Sequence, residues 1–127
     1  MPASVFISHV YEDRHHRDAI RGWASRGHLG NNVVITGESA DVRQGGDAAI
    51  RAHLAPKLRG ASVVLVLLGN DTHNHPWVEY EAQFAQSHNV RVLPVRIPGT
   101  RGAAPPNMRG KLEVRMDPSA IRAALGT

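Results

Sequence analysis

At 127 residues the chain has the length of one domain, enough to enclose a core that hides roughly two-thirds of its unfolded surface. An apolar fraction of 42% beside 20% charged residues argues against disorder, and the absence of cysteine excludes disulfides and thiolate zinc sites. No apolar run approaches the ~20 residues a membrane span needs, and a formal charge of +4 is too mild for the dense basic stripe of a dedicated nucleic-acid binder. The expectation is a single cytoplasmic domain over residues 1–127, with neither membrane nor nucleic acid among its partners.

Met1 to Ser8 reads as a strand, with Val5-Phe6-Ile7-Ser8 buried on both faces, and charges follow at Glu12 and Asp13 where a secretory leader would continue apolar. Asp13 to Arg26 reads as a helix with Ala19, Ile20, Trp23 and Ala24 as its apolar stripe, ended by Gly27 and Gly30. Val33-Val34-Ile35 is the second strand. Thr36 to Gly46 reads as a loop punctuated by Gly37, Gly45 and Gly46. Asp47 can cap a helix in which Ile50, Leu54 and Leu58 recur every fourth residue, with a kink or an early end expected at Pro56. Ser62 to Leu68 is the strongest strand of the chain and belongs at the centre of a sheet. After a polar loop, Gly69 to His75, Pro76 opens a helix running to about His88. Val90 to Ile97 is a fourth strand, Pro98 to Gly110 a mobile loop, Leu112 to Met116 a short edge strand and Pro118 to Leu125 a terminal helix.

Strands that alternate with helices predict a parallel sheet covered on both faces. Right-handed crossovers then give an α/β, flavodoxin-like three-layer sandwich with five strands in the order 2-1-3-4-5. Ligands of such sheets bind beyond the carboxyl ends of the strands, where the order reverses. The loops after Ser8, Ile35 and Leu68 therefore surround any site.

On the helix from Pro76 to His88, steps of about 100° per residue gather Trp77, Val78, Tyr80, Phe84, Ala85 and His88 in one arc. Glu81 falls in the middle of that arc, and Glu79, Gln83 and Gln86 fall opposite. Glu79 is expected in solvent and Glu81 inside. An inward carboxylate is costly unless paired or hydrogen-bonded. Two readings stay open: a carboxylate that meets a ligand's hydroxyls or developing positive charge, and a structural partner of an arginine or of loop amides.

Val5-Phe6-Ile7-Ser8-His9 followed by Glu12-Asp13 resembles the first strand and loop of TIR domains. Leu68-Gly69-Asn70-Asp71-Thr72 followed by Trp77-Val78-Glu79-Tyr80-Glu81 resembles the signature of the TIR-like family of bacterial antiphage systems, notably the Thoeris signalling subunit. The similarity runs from about Ser4 to Ile97; Asn74, His75 and Pro76 stand where the family usually has a serine or another small residue. The resemblance implies cleavage of NAD+ between nicotinamide and ribose, with hydrolysis or cyclisation of the ADP-ribose. It implies Glu81 as the catalytic residue, with Ser8, His9, Asn70 and Trp77 at the substrate. A fixed carboxylate suits an oxocarbenium-like centre. NAD+ is then a substrate, no resident cofactor or metal is required, and Thr36 to Gly46 corresponds to a loop that gates access and mediates assembly. Implied partners are further copies of the chain, a phage-derived trigger, and an effector reached through a nucleotide product. Other TIR domains are scaffolds, so a non-catalytic interaction or nucleotide-binding module is the alternative.

The remaining signals are weaker. His15-His16 and His73-x-His75 lack the partner at helical spacing that would complete a zinc motif. Arg14, Arg17 and Arg21 share a helix face that is solvated or meets an acidic partner. Gly45-Gly46 lacks the Lys-Ser/Thr pair of a phosphate cradle. Asn70 and Asp71 meet ligand or simply make the turn. A phosphoacceptor receiver domain shares the sheet order, but Asp71, Glu12 and Asp13 match its acidic positions only roughly, and Arg96 stands where it needs a lysine.

Overall fold

Val63–Leu68 has no polar residue in its six positions and is buried along its whole length. Such a strand can only lie inside a sheet covered on both faces. In the computed structural model, which describes residues 3–38, 56–72, 76–105, 108 and 110–126, it is β3, at the centre. Around it stand β1 (Ala3–Ser8), β2 (Val33–Glu38), β4 (Arg91–Arg96) and the two-residue β5 (Val114–Arg115). All pairs are parallel, and the order is β2-β1-β3-β4-β5, as the alternation of elements predicts.

Alternation along the strands divides the core in two. Val5, Ile7, Val63, Leu65 and Leu67 face one way and pack with Ile20 of α1 (Arg14–Ser25) and Ile121 of α3 (Pro118–Leu125). Phe6, Val64, Val66 and Leu68 face the other way. They pack with Leu58 and with Val78, Ala82 and Ala85 of α2 (Pro76–Ser87). A 3-10 turn, Tyr11–Asp13, leads into α1. Gly27 and Gly30, both at positive φ, turn the chain out of α1. At α3, Asp117 accepts the Ala120 N–H at 2.8 Å and Gly126 closes the helix in the left-handed conformation.

Three expectations are corrected, and a fourth falls at the edge of the described residues. β2 continues through Thr36–Glu38, where a loop was expected. A register shift between Val5 and Phe6 brings Gly37 opposite Phe6 and Glu38 opposite Ile7. Gly37 makes this possible, since a methyl there would stand 3.0 Å from the Phe6 ring. Secondly, of the helix expected around Pro56 the structure describes residues 56–59, which are helical, with the Gly60 N–H donating to the Pro56 carbonyl at 3.2 Å; the residues before the proline lie outside the described ones. Thirdly, the segment after Ile97 is tied down. The Thr100 hydroxyl lies 2.7 Å from the Ile97 carbonyl and 3.1 Å from the Leu68 carbonyl, and the Arg101 N–H donates to Asn70 Oδ1 at 2.9 Å. Lastly, β5 is shorter than Leu112 to Met116, and Leu112 is exposed. The expected cap Asp47, Ile50 and Leu54, the Gly45-Gly46 turn, and His73, Asn74 and His75 lie outside the described residues.

Candidate functional site at the carboxyl end of the sheet

Ser8 is the last residue of β1 and lies two residues beyond Phe6, so it points to the same face, the one covered by α2. Glu81 is the sixth residue of α2, one turn or less from the buried Val78, Ala82 and Ala85. Strand and helix bring the two together: the Ser8 hydroxyl donates to Glu81 Oε1 at 2.6 Å, and both side chains are fully buried. The inward placement of Glu81 is as expected, and Glu79 is half-buried while Gln83 and Gln86 are exposed. The aromatic part of the expected arc is met in part: Phe84 packs against the core from its edge, and the side chain of Trp77 lies outside what is described. Tyr80 and Phe84 are only half-buried and His88 is exposed. Val78, Ala82 and Ala85 are the fully buried apolar residues of α2 against the sheet. The rings are left at the flank of the helix, where Tyr80 meets Phe84 edge-on and Phe84 stacks on His88 at 4.1 Å.

His9, directly after β1, is also buried. Its Nδ1 lies 3.5 Å from the Ile7 carbonyl and its Nε2 lies 3.4 Å from Arg17 Nη1. Arginine only donates, so Nε2 accepts and the proton sits on Nδ1, facing the carbonyl. Arg17 also forms an ion pair with Asp18 at 2.9 Å. The expected basic face of α1 thus reaches the buried histidine through one of its members.

The loop after β3 is braced from within. The Gly69 N–H donates to the Thr72 hydroxyl at 2.8 Å, and that hydroxyl lies 3.2 Å from the Leu67 carbonyl, with Thr72 fully buried. Asn70 stands at the end of β3 as expected. It is exposed, and its carbonyl oxygen holds the Arg101 backbone. Asp71 is exposed. Trp77 occupies the second position of α2, four residues before Glu81, and its side chain lies outside what is described. Strand and helix thus bring Ser8 and Glu81 together at the carboxyl end of the sheet, where sheets of this order form their ligand crevice, whereas His9, the next residue, is turned to Arg17 of α1. Thr72 was given no role from sequence, and Arg17 was expected only as part of a basic helix face, not at His9. Thr72 belonged to the motif after β3, yet its bond back across the turn had no local signature.

A groove of about 440 Å³ lies between α1 and β2, lined by Arg21, Gly22, Ala24, Ser25 and Val33 to Ile35. Val33 to Ile35 pair with Ala3 to Val5, at the start of β1, so the groove is at the opposite end of the sheet from Ser8 and shares no residue with the crevice. Among the described residues no group of three or more histidines and carboxylates gathers as a metal site, and no helix is long and apolar enough to cross a membrane. Arg96 grips Glu113 with two hydrogen bonds of 2.9 Å, so the arginine at the receiver-like lysine position joins β4 to the segment before β5.

No curated protein matches the chain. The family model described as Thoeris protein ThsB, TIR-like domain, matches residues 6–102, a span that takes in Ser8, His9, the loop after β3 and Glu81. The chain is a member of the Thoeris ThsB TIR-like domain family.

Proposed function

We propose that this TIR-like domain cleaves NAD+ at the bond between nicotinamide and ribose, as the signal-producing step of an antiphage response. The observation that carries the proposal is the fully buried Glu81 carboxyl, held at 2.6 Å by Ser8 where parallel sheets of this order bind ligands. Cleavage sends both electrons of the C–N bond to the pyridine nitrogen, which leaves neutral, and the positive charge passes to the ribose. Glu81 would face that charge or hold the ribose hydroxyls. Ser8, bonded to Glu81 Oε1, would hold its rotamer, and His9, the next residue, would meet the substrate at the end of β1. Water would then give ADP-ribose and a proton, whereas attack from within the same molecule would give a cyclic product. NAD+ is here the substrate, and no resident cofactor is invoked.

Complete burial of Glu81 bears on regulation. A carboxyl with no accessible surface must be uncovered before it can meet a substrate. That fits an enzyme silent until a phage-derived trigger or association with further copies of the chain opens the crevice, and whose nucleotide product reaches an effector. The same burial favours one other reading, a non-catalytic interaction module in which Ser8 and Glu81 form a core hydrogen bond.

The test is incubation of the purified protein with NAD+, at high concentration and with a crowding agent, following nicotinamide by chromatography. Release that disappears in Glu81→Gln is the expected outcome, and the mass of the product separates linear from cyclic ADP-ribose. Absence of release at every concentration would favour the interaction module.

A further inference from the structure

Asp13 occupies the N-cap position of α1, where a carboxylate ordinarily accepts a helix N–H, yet its side chain makes no capping hydrogen bond. The side chain lies instead over the turn that ends β3. A methyl on Gly69 would stand 2.5 Å from Asp13 Oδ2 and 3.1 Å from Oδ1. Gly69 is not among the residues at positive φ, so the backbone does not demand a glycine there. The space does, because the carboxylate fills the place of a side chain. On the neighbouring stretch a second glycine plays the same part. A methyl on Gly102 would collide with the Gly69 and Asn70 carbonyls, and the adjacent Arg101 N–H is bonded to Asn70. The Gly69-Asn70 peptide is thus clasped between the loop after β1 and the segment after β4: at Gly102 a methyl would meet backbone, and at Gly69 it would displace the Asp13 carboxylate.

We infer that Asp13 is a positioning residue for the crevice: seated on Gly69, its carboxylate sets the spacing between the loop that carries His9 and the loop that leads into α2. The inference rests on the NAD+ reading given above. Ser8 pairs with Val66, and Gly69 lies three residues further along, about 10 Å at strand spacing. Asp13 therefore meets the chain beyond the carboxyl end of β3, further out along the strands than Ser8. In the NAD+ reading a dinucleotide reaches Glu81 from this end of the sheet, between the two loops whose separation the Asp13–Gly69 contact sets.

Three variants test this: Gly69→Ala, Asp13→Ala and the two combined. ADP-ribose binding is read by calorimetry, KM and kcat by nicotinamide release, and Tm in parallel. Misplacement on the ångström scale costs up to about 100-fold in productive geometry, so Gly69→Ala is expected to weaken ADP-ribose binding and raise KM by about tenfold or more. The double variant is expected to recover part of that loss, because the added methyl enters the space vacated by the carboxylate. A merely structural contact would move Tm in that pattern and leave affinity and KM unchanged. Parent-like binding in Gly69→Ala, or a double variant no better than Gly69→Ala, overturns the inference. Should Gly69→Ala not fold, Asp13→Ala decides: weakened binding supports the inference and unchanged binding overturns it. A parent protein that neither binds ADP-ribose nor releases nicotinamide, at high concentration and with extract of phage-infected cells as the trigger, removes the NAD+ reading and this inference with it. A parent that binds while the variants bind equally well removes the inference alone.

Discussion

At the scale of single residues, the Ser8–Glu81 pair concentrates the energetics of the site. A buried O–H donor held at 2.6 Å by a carboxyl has no water to replace its partner. Ser8→Ala is therefore expected to lower stability by about 1–3 kcal/mol, read as a lower midpoint in urea denaturation. Glu81→Gln discriminates where Ser8→Ala does not. A carboxylate kept for catalysis is held against its own desolvation, so the amide should leave the midpoint unchanged or raise it. A carboxyl kept for the fold should lose stability on the same change, with no turnover to lose. The inward turn of Glu81 was legible because Val78, Ala82 and Ala85 bracket it at helical spacing while Gln83 and Gln86 mark the far side. The place of Tyr80 and Phe84 was not, because helical angles alone do not say how much of an arc the sheet covers. Nor was Asp13 legible as a partner of Gly69: the two lie far apart in sequence, and no pattern in either segment records the contact.

At the scale of elements, the strands were legible from composition wherever both faces are buried, as in β3, and least legible at the edges. β2 ends three residues beyond the apolar Val33-Val34-Ile35 run because a register shift and the bare Gly37 let it keep pairing with β1. Periodicity carries no record of either feature. At the other edge, β5 is only two residues long, and the pairing is reinforced by the doubly bonded Arg96 and Glu113. The Arg96 guanidinium, by hydrogen bond and charge, holds the Glu113 carboxyl below its ordinary value against a smaller opposing effect of burial. The sign follows directly: a depressed carboxyl stabilises the fold above the unfolded value, about 4, and that contribution is lost as the pH falls through the lowered value. Glu113→Gln is expected to lower Tm modestly at neutral pH, as an exposed pair does. The difference from the parent should close in acid below the ordinary carboxylate range. A gap in Tm that persists unchanged in acid would mean that the pair acts through packing rather than charge.

At the scale of the whole molecule, alternation along β1 and β3 makes the two halves of the core inseparable. Val63, Leu65 and Leu67 belong to the cluster under α1 and α3, whereas Val64, Val66 and Leu68 belong to the cluster under α2. Melting either face would strip one side of a strand whose every second residue still holds the other. A parallel sheet exposed on one face is not a stable form, so the remaining layer should not survive alone. The chain is therefore expected to unfold in one cooperative transition, as small single domains usually do. Its two tryptophans offer a direct check, because Trp23 packs on the first cluster while Trp77 is carried by α2, on the opposite side of the sheet. In Trp77→Phe the fluorescence reports the α1 face, and in Trp23→Phe it reports the α2 side. For each variant the fluorescence midpoint in urea should coincide with the midpoint by far-UV circular dichroism. If instead the Trp77 signal were lost before the sheet, α2 would open by itself and carry Glu81 away from Ser8. The crevice could then be uncovered without unfolding the α1 face, a route by which a trigger could switch the site on.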